Sequence, residues 1–311
     1  MKRIDASPSG IFEINWSNDG KWVTYVAGED EVRLASVETG EIRIVGRGRS
    51  PSITHDMSVL IERDQQVVLV MAKGEKVIAA KKDLVKDTPK QSPQSSPDGK
   101  KAIFVVCNVF DKVSQTKNAY PYRHFVAIAD IDSGRSILTD EQWYGGSATW
   151  FPDGKRFAHF EFDSTAGPQV HIVSERGESE GALAGLYPSV CPDGTRLAVK
   201  PRGGGSLVIY TSKGGWNDQQ VESNVLRIPG SSATQTSGTP PIWLDNRFIV
   251  LDEGGQLYRV DTKRDKTDEI KKLPRPTARR KHSMIPSPNR EHMAVEVKGE
   301  EHFELVVIPL T

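Results

Sequence analysis

Short runs rich in β-branched and aromatic residues return along the whole chain, each bounded by turn residues. They include Trp22-Val23-Thr24-Tyr25-Val26, Ala102-Ile103-Phe104-Val105-Val106, Phe157-Ala158-His159-Phe160, Leu197-Ala198-Val199, Phe248-Ile249-Val250-Leu251 and Met293-Ala294-Val295-Glu296-Val297. This composition and length predict buried strands. Ahead of each run stands Pro-Asp-Gly-Lys or a worn form of it, centred on Asp19, Asp56, Asp98, Asp153, Asp193, Asp245 and Asn289. Asp-Gly suits a tight turn, because the Asp side chain caps its own backbone and Gly takes a positive φ without strain. The seven anchors are 37 to 55 residues apart and average about 45, near the roughly 40 to 45 residues of one propeller blade.

Within each unit the predicted order is a strand ending at the anchor, a second strand, a loop, a third strand, a Gly turn and an outer strand, which is a four-stranded meander. Third strands read as Val32–Val37, Val67–Val70, Phe125–Asp130, Val170–Val173, Leu207–Tyr210, Leu257–Val260 and Phe303–Ile308. The last unit stops after its third strand, while Lys2-Arg3-Ile4-Asp5-Ala6 precedes the first unit. Residues 2–6 are therefore expected to supply the missing outer strand and clasp a ring shut, leaving few free edges. The expectation is one all-β domain over 1–311, a seven-bladed β-propeller. Its blades fall near 12–46, 50–84, 91–139, 146–184, 186–229, 238–273 and 282–311 plus 2–6. A six-bladed ring is the alternative, and it requires that the degenerate unit around His55-Asp56 not be a blade.

Charge and cysteine content narrow the partners. Lys plus Arg number 41, as do Asp plus Glu, so the formal net charge is zero and no global field draws the chain to nucleic acid or anionic membrane. Cys107 and Cys191 are the two cysteines, too few for a disulfide framework and not at zinc spacing. No apolar run approaches the ~20 residues of a membrane span, and no signal peptide is legible. A cytoplasmic protein is expected, or a periplasmic one if a leader precedes this sequence.

The Ser96-Pro97-Asp98-Gly99-Lys100 core, its following β run and its Gly turn at Asp132-Ser133-Gly134 resemble the WD40-like, or PD40, repeat of TolB-type propellers. The resemblance covers nearly the whole chain and is weakest at 50–90 and 238–290. Such repeats form the protein-binding module of TolB, the propeller caps of prolyl-oligopeptidase-like peptidases and the scaffold of oligogalacturonate lyases, so the resemblance implies a fold and leaves function open. A hydrolase elbow of the Gly-x-Ser-x-Gly kind is missing; Gly145-Gly146-Ser147-Ala148 is the nearest string. The histidine-rich metal motif of the lyases has no match by position.

Propellers bind on the face made by the loops leading into the innermost strands and those joining second to third strands. That face is expected to carry the insertion from Asn108 to Arg123 with Tyr120, Tyr122 and Arg123. It is also expected to carry the aromatic pair Trp143 and Tyr144, Arg202 beside a Gly run, and the basic segment with Arg279 and Arg280. Aromatics and arginines on a rigid ring suit stacking and anion pairing. Each has a plainer reading: the tyrosines lie along their blade, Trp143 and Tyr144 pack on a neighbour, and the arginines decorate a solvated connector. His159 and His171 fall on adjacent strands of one blade, where a third ligand from elsewhere would complete a metal site; packed histidines are the default. The reading that follows is a non-enzymatic recognition or scaffold ring without a cofactor. It takes a protein or peptide partner or a small anionic ligand. The rival is a metal-assisted carbohydrate lyase or hydrolase using His159 and His171.

Overall fold

The computed structural model describes residues 2–79, 90–109, 122–139, 148–163, 167–203, 205–217, 219–228, 240–253, 256–264, 266–269, 284–289, 291–299 and 302–309. They form seven four-stranded antiparallel sheets, and no helix occurs among them. Blade 1 spans 11–47, blade 2 49–79, blade 3 90–138, blade 4 148–184, blade 5 186–227 and blade 6 242–269. Blade 7 spans 284–309 and takes its fourth strand from Lys2–Ser7. The unit around His55-Asp56 is thus a complete blade, and the six-bladed alternative falls. First strands of successive blades touch one another, which places them innermost around a central channel. Between blades 3 and 4 the Trp150 indole makes the link by donating to the Gln94 carbonyl at 3.3 Å.

The anchor turns hold register through the same bonds in every blade. The side-chain Oδ1 of Asp19, Asp56, Asp98, Asp153, Asp193, Asp245 and Asn289 accepts the backbone N–H two residues on, at 2.6 to 3.3 Å. In five blades a buried Ser17, Thr54, Ser96, Cys191 or Ser287 also donates to that oxygen. In four of these the same hydroxyl or thiol accepts the first N–H of the second strand, as Ser96 does from Lys101 at 3.0 Å. Cys191 thereby does the work of a serine, and burial followed by the Asp193 carboxylate pushes its thiol pKa up. Gly99 shows why glycine follows the acid: its φ is +72°, and a Cβ there would lie 2.8 Å from that of His55.

Blades are joined by apolar layers and by a recurrent indole staple. Val23 and Tyr25 of blade 1 pack against Ala294, Leu305 and Val307 of blade 7. Phe160 and Ile172 of blade 4 pack against Leu186 and Leu197 of blade 5. Each such side chain contributes about 1.5–3 kcal/mol when fully buried. The first-strand tryptophans Trp16, Trp150 and Trp243 donate Nε1 to the preceding blade, at Ile285 O, Gln94 O and Ser189 O. A large apolar ring is thereby buried with its one polar atom satisfied.

Candidate functional site

The antiparallel order puts the anchor turns at one end of every blade, and at the other end the connections into first strands and between second and third strands. Close to that second end, four first strands carry the same irregularity. In blade 1, Phe12 pairs with Val26 and Asn15 with Thr24, so Glu13 and Ile14 together face one residue, Tyr25. Blades 2, 3 and 5 repeat this two-against-one bulge at Ser50-Pro51, Ser92-Pro93 and Tyr187-Pro188. The first bulge residue is left-handed each time, with φ of 54° at Glu13, 49° at Ser50, 53° at Ser92 and 53° at Tyr187. Side chains rarely adopt this conformation, and it costs of order 1–3 kcal/mol at each position. A bulge of this type ordinarily uses glycine, so non-glycine residues at all four places concentrate strain along the channel.

The bulges of blades 1 and 2 are coupled directly. Glu13 reaches across the seam and its Oε2 accepts the Ser50 N–H at 2.5 Å. Arg49 stands next to Ser50 and pairs in register with Glu62. Burial, then the Glu13 charge, pushes the Glu62 carboxyl up to about 7, with Arg49 opposing. The seam therefore holds a carboxylate seated on a backbone amide, an arginine, and a second carboxyl that keeps its proton toward neutral pH.

His159 and His171 are neighbours, as their strands suggest. They pair in register, and their rings stack with centroids 5.6 Å apart. Glu161, only 1% exposed, sets its carboxyl against the His171 ring, and Phe157 packs on His159 at 6.0 Å. This polar group borders the apolar layer in which Phe157 and Val173 meet Ile103, Val126 and Ile128 of blade 3. Among the described residues, no group of three or more His, Cys, Asp or Glu is placed to hold a metal ion.

Of the other expected site residues, Arg202 is exposed in the turn between Arg196–Lys200 and Ser206–Ser212. Tyr122 and Arg123 are strand positions and not insertion: their backbones pair with Val109 and Asn108, which lengthens the hairpin of blade 3. The side chains of those two, and Tyr120, Trp143, Tyr144, Arg279 and Arg280, lie outside the described residues. On the opposite face, a cleft of about 370 Å³ opens between the anchor turns of blades 4 and 5, with Asp153, Arg156, Asp193, Ser212 and Trp216 in its wall. Its Arg156 is held by Glu180 at 3.0 Å. The bulge residues were not among the expected site residues. Their signal is a proline five residues before the anchor at Pro51, Pro93 and Pro188, which marks an edge strand or a bulge inside an apparent strand.

The chain's similarities are to solved structures of the same architecture. An oligogalacturonate lyase in complex with manganese superposes with a TM-score of 0.69 at 15% identity, covering 99% of this chain and 92% of that one. Hydrazine synthase of Kuenenia stuttgartiensis gives 0.67 at 16% identity, covering 97% and 96%. The β-propeller domain of Cps50 (Swd1) from Myceliophteria thermophila gives 0.66 at 10% identity, covering 96% of each chain. At these identities the likeness establishes the fold, a seven-bladed β-propeller, and nothing of chemistry. No protein-family model matches the chain, and no curated protein matches it.

Proposed function

We propose that this ring is a non-enzymatic recognition module of the TolB/PD40 type, which captures a peptide, a protein loop or a small anionic ligand on the loop face around its channel. The observation that carries the reading is the recurrence of left-handed Glu13, Ser50, Ser92 and Tyr187 on the first strands. Backbone strain of this kind persists where the surroundings over-determine it, and it concentrates at ligand clamps. Arg202, exposed at the same end of blade 5, adds an anion partner. The basic segment with Arg279 and Arg280 supplies two more by sequence. The test is binding of a fluorescent Glu-rich peptide and its Lys-rich counterpart to the full chain, to Arg202→Ala, and to the Arg279→Ala/Arg280→Ala pair. The reading expects preference for the acidic peptide and weaker capture by both variants at unchanged Tm. Indifference to peptide charge, or capture and Tm falling together, would count against it.

The rival, a metal-assisted carbohydrate lyase or hydrolase, would use the stacked pair His159 and His171 as two ligands and needs a third from elsewhere. Elemental analysis after metal reconstitution separates the two. Stoichiometric metal in the wild-type chain that is lost in His159→Ala and His171→Ala would favour the rival; no uptake would remove it.

A further inference from the structure

The seam between blades 1 and 2 displays what its bulge binds. The Ser50 amide emerges from a left-handed residue on the channel-side strand, followed by Pro51, which has no N–H of its own. The group it meets is a carboxylate oxygen from a different blade, at 2.5 Å. A backbone N–H directed at an anion by a bulge is a preorganised site, because the donor requires no rearrangement when the anion arrives. Arg49 is the adjacent residue, and its positive charge acts on Glu62, the same carboxyl that feels the Glu13 charge. Glu13 is itself left-handed, with φ of 54°, so the side chain that fills the site is delivered from a strained backbone.

We propose that the Ser50 amide with Arg49 is a carboxylate-binding subsite on the channel side of the ring, that Glu13 occupies it in the unliganded protein, and that a ligand carboxylate binds by displacing Glu13. This rests on the reading of the loop face as an anion or peptide site and gives that site its chemistry. At the amide itself the exchange is one carboxylate for another, while the displaced Glu13 stays nearby on its strand. Glu13 is tethered, so its effective concentration at the amide is in the millimolar range or above. A free ligand therefore needs contacts elsewhere on the face to compete. The subsite then acts as a gate that admits a carboxylate only when the remainder of the ligand also fits.

Propionate reproduces the side chain of Glu13 beyond its Cα and is the probe. The Ser50 amide resonance is followed in the ¹⁵N-labelled full chain, wild type and Glu13→Ala, during titration with sodium propionate, with propionamide and sodium chloride as controls. The proposal expects saturable downfield movement in Glu13→Ala with propionate alone, and at least about tenfold weaker response in the wild type. No response in the variant, equal responses in both proteins, or the same response to propionamide would overturn it. If Glu13→Ala does not fold, Glu13→Gln replaces it. Its neutral oxygen is a poorer occupant, so propionate must still bind more tightly than in the wild type; equal binding overturns the proposal. A peptide ending in a free carboxylate and its amidated twin then distinguish a chain end from a small acid as the source. Loss of the propionate effect with acidic-peptide capture intact would sink this inference alone. Propionate binding with no preference for the acidic peptide would sink the broader reading alone.

Discussion

The Tyr25 hydroxyl donates to the Asp5 carboxylate at 2.7 Å, and so fastens the opening strand of the chain to the second strand of blade 1. Asp5 belongs by backbone pairing to blade 7, where it lies opposite Leu305. Arg33 of blade 1 binds the same oxygen through Nη1, also at 2.7 Å. Lys2 adds two bonds from Nζ, to the carbonyls of Val37 and Glu38. Burial, then the Asp5 carboxylate, pushes the Tyr25 phenol far up, so it stays a donor at all physiological pH. The clasp is thus a hydrogen-bonded lock between blades as well as a strand completing a sheet.

Asp5→Ala strands the Tyr25 hydroxyl and takes from Arg33 one of its two carboxylate partners, leaving Glu31. Tyr25 is fully buried, and leaving such groups unsatisfied costs about 1–3 kcal/mol. Tyr25→Phe removes the donor but leaves Arg33 on Asp5, so about 1 kcal/mol is expected. Urea unfolding followed by tryptophan fluorescence measures both. A Tyr25→Phe loss equal to or larger than that of Asp5→Ala would contradict the lock.

Ser96→Ala tests the anchor bond set. The hydroxyl is fully buried, donates to Asp98 Oδ1 at 2.6 Å and accepts the Lys101 amide at 3.0 Å, so its removal orphans a buried N–H at a cost of about 1–3 kcal/mol. At Asp98, burial raises the pKa, but the Ser96 hydroxyl and the Lys100 amide outweigh it and the net direction is down. A carboxylate with a depressed folded pKa adds stability above its unfolded value, and that stability is lost as pH falls through the folded value. Asp98→Asn is therefore expected to lower Tm near neutrality and to match the wild type in strong acid. A constant difference from neutral to acid pH would refute this.

The ring was legible because its signal is local and repeated. Asp, Gly and a β-branched run at each anchor report a turn and a strand without reference to distant residues, and the paired ends follow from counting strands. Even blade 2, where Met57 with φ of 66° replaces the turn glycine, kept its acid and its hydroxyl at Thr54 and Asp56. The candidate site was far less legible. Glu13 and Ser50 stand 37 residues apart and meet only because two blades are adjacent, and a left-handed glutamate leaves no mark in composition. His159 and His171 were visible as neighbours because strand pairing is local. Their burial against blade 3 was not, since it depends on which face of the sheet turns inward.

Trp243→Phe separates the indole staple from simple filling of the core. Trp243 is 1% exposed, donates to Ser189 O at 2.9 Å and has the Arg196 guanidinium over its ring at 5.0 Å. Phe keeps most of the apolar surface and loses the bond, so about 1–2 kcal/mol is expected from the hydrogen bond and residual void. Trp243→Ala removes the whole ring and is expected to cost about 3–5 kcal/mol. Chemical denaturation of the two variants checks the order. Near-equal losses would mean the bond, not the ring volume, dominates this seam.

Glu62 gives the ring a pH dependence opposite in sign to that of the anchor acids. Its carboxyl is pushed from 4.5 to about 7, first by burial and then by the Glu13 charge, against the pull of Arg49. A raised carboxyl binds its proton more tightly in the folded chain, so between those two values the unfolded state ionises while the folded state does not, and stability falls as pH rises. Above about 7 both states are ionised and the loss is complete. Glu62→Gln holds the neutral form at every pH. The variant is therefore expected to melt above the wild type at pH 8 and to converge with it at pH 4. Glu13→Gln removes the neighbouring charge and is expected to shrink the effect in the same window. Thermal melts at several pH values read all three proteins. A wild-type advantage at pH 8 would show that Arg49 holds Glu62 ionised in the folded ring, which reverses the sign argued for this seam.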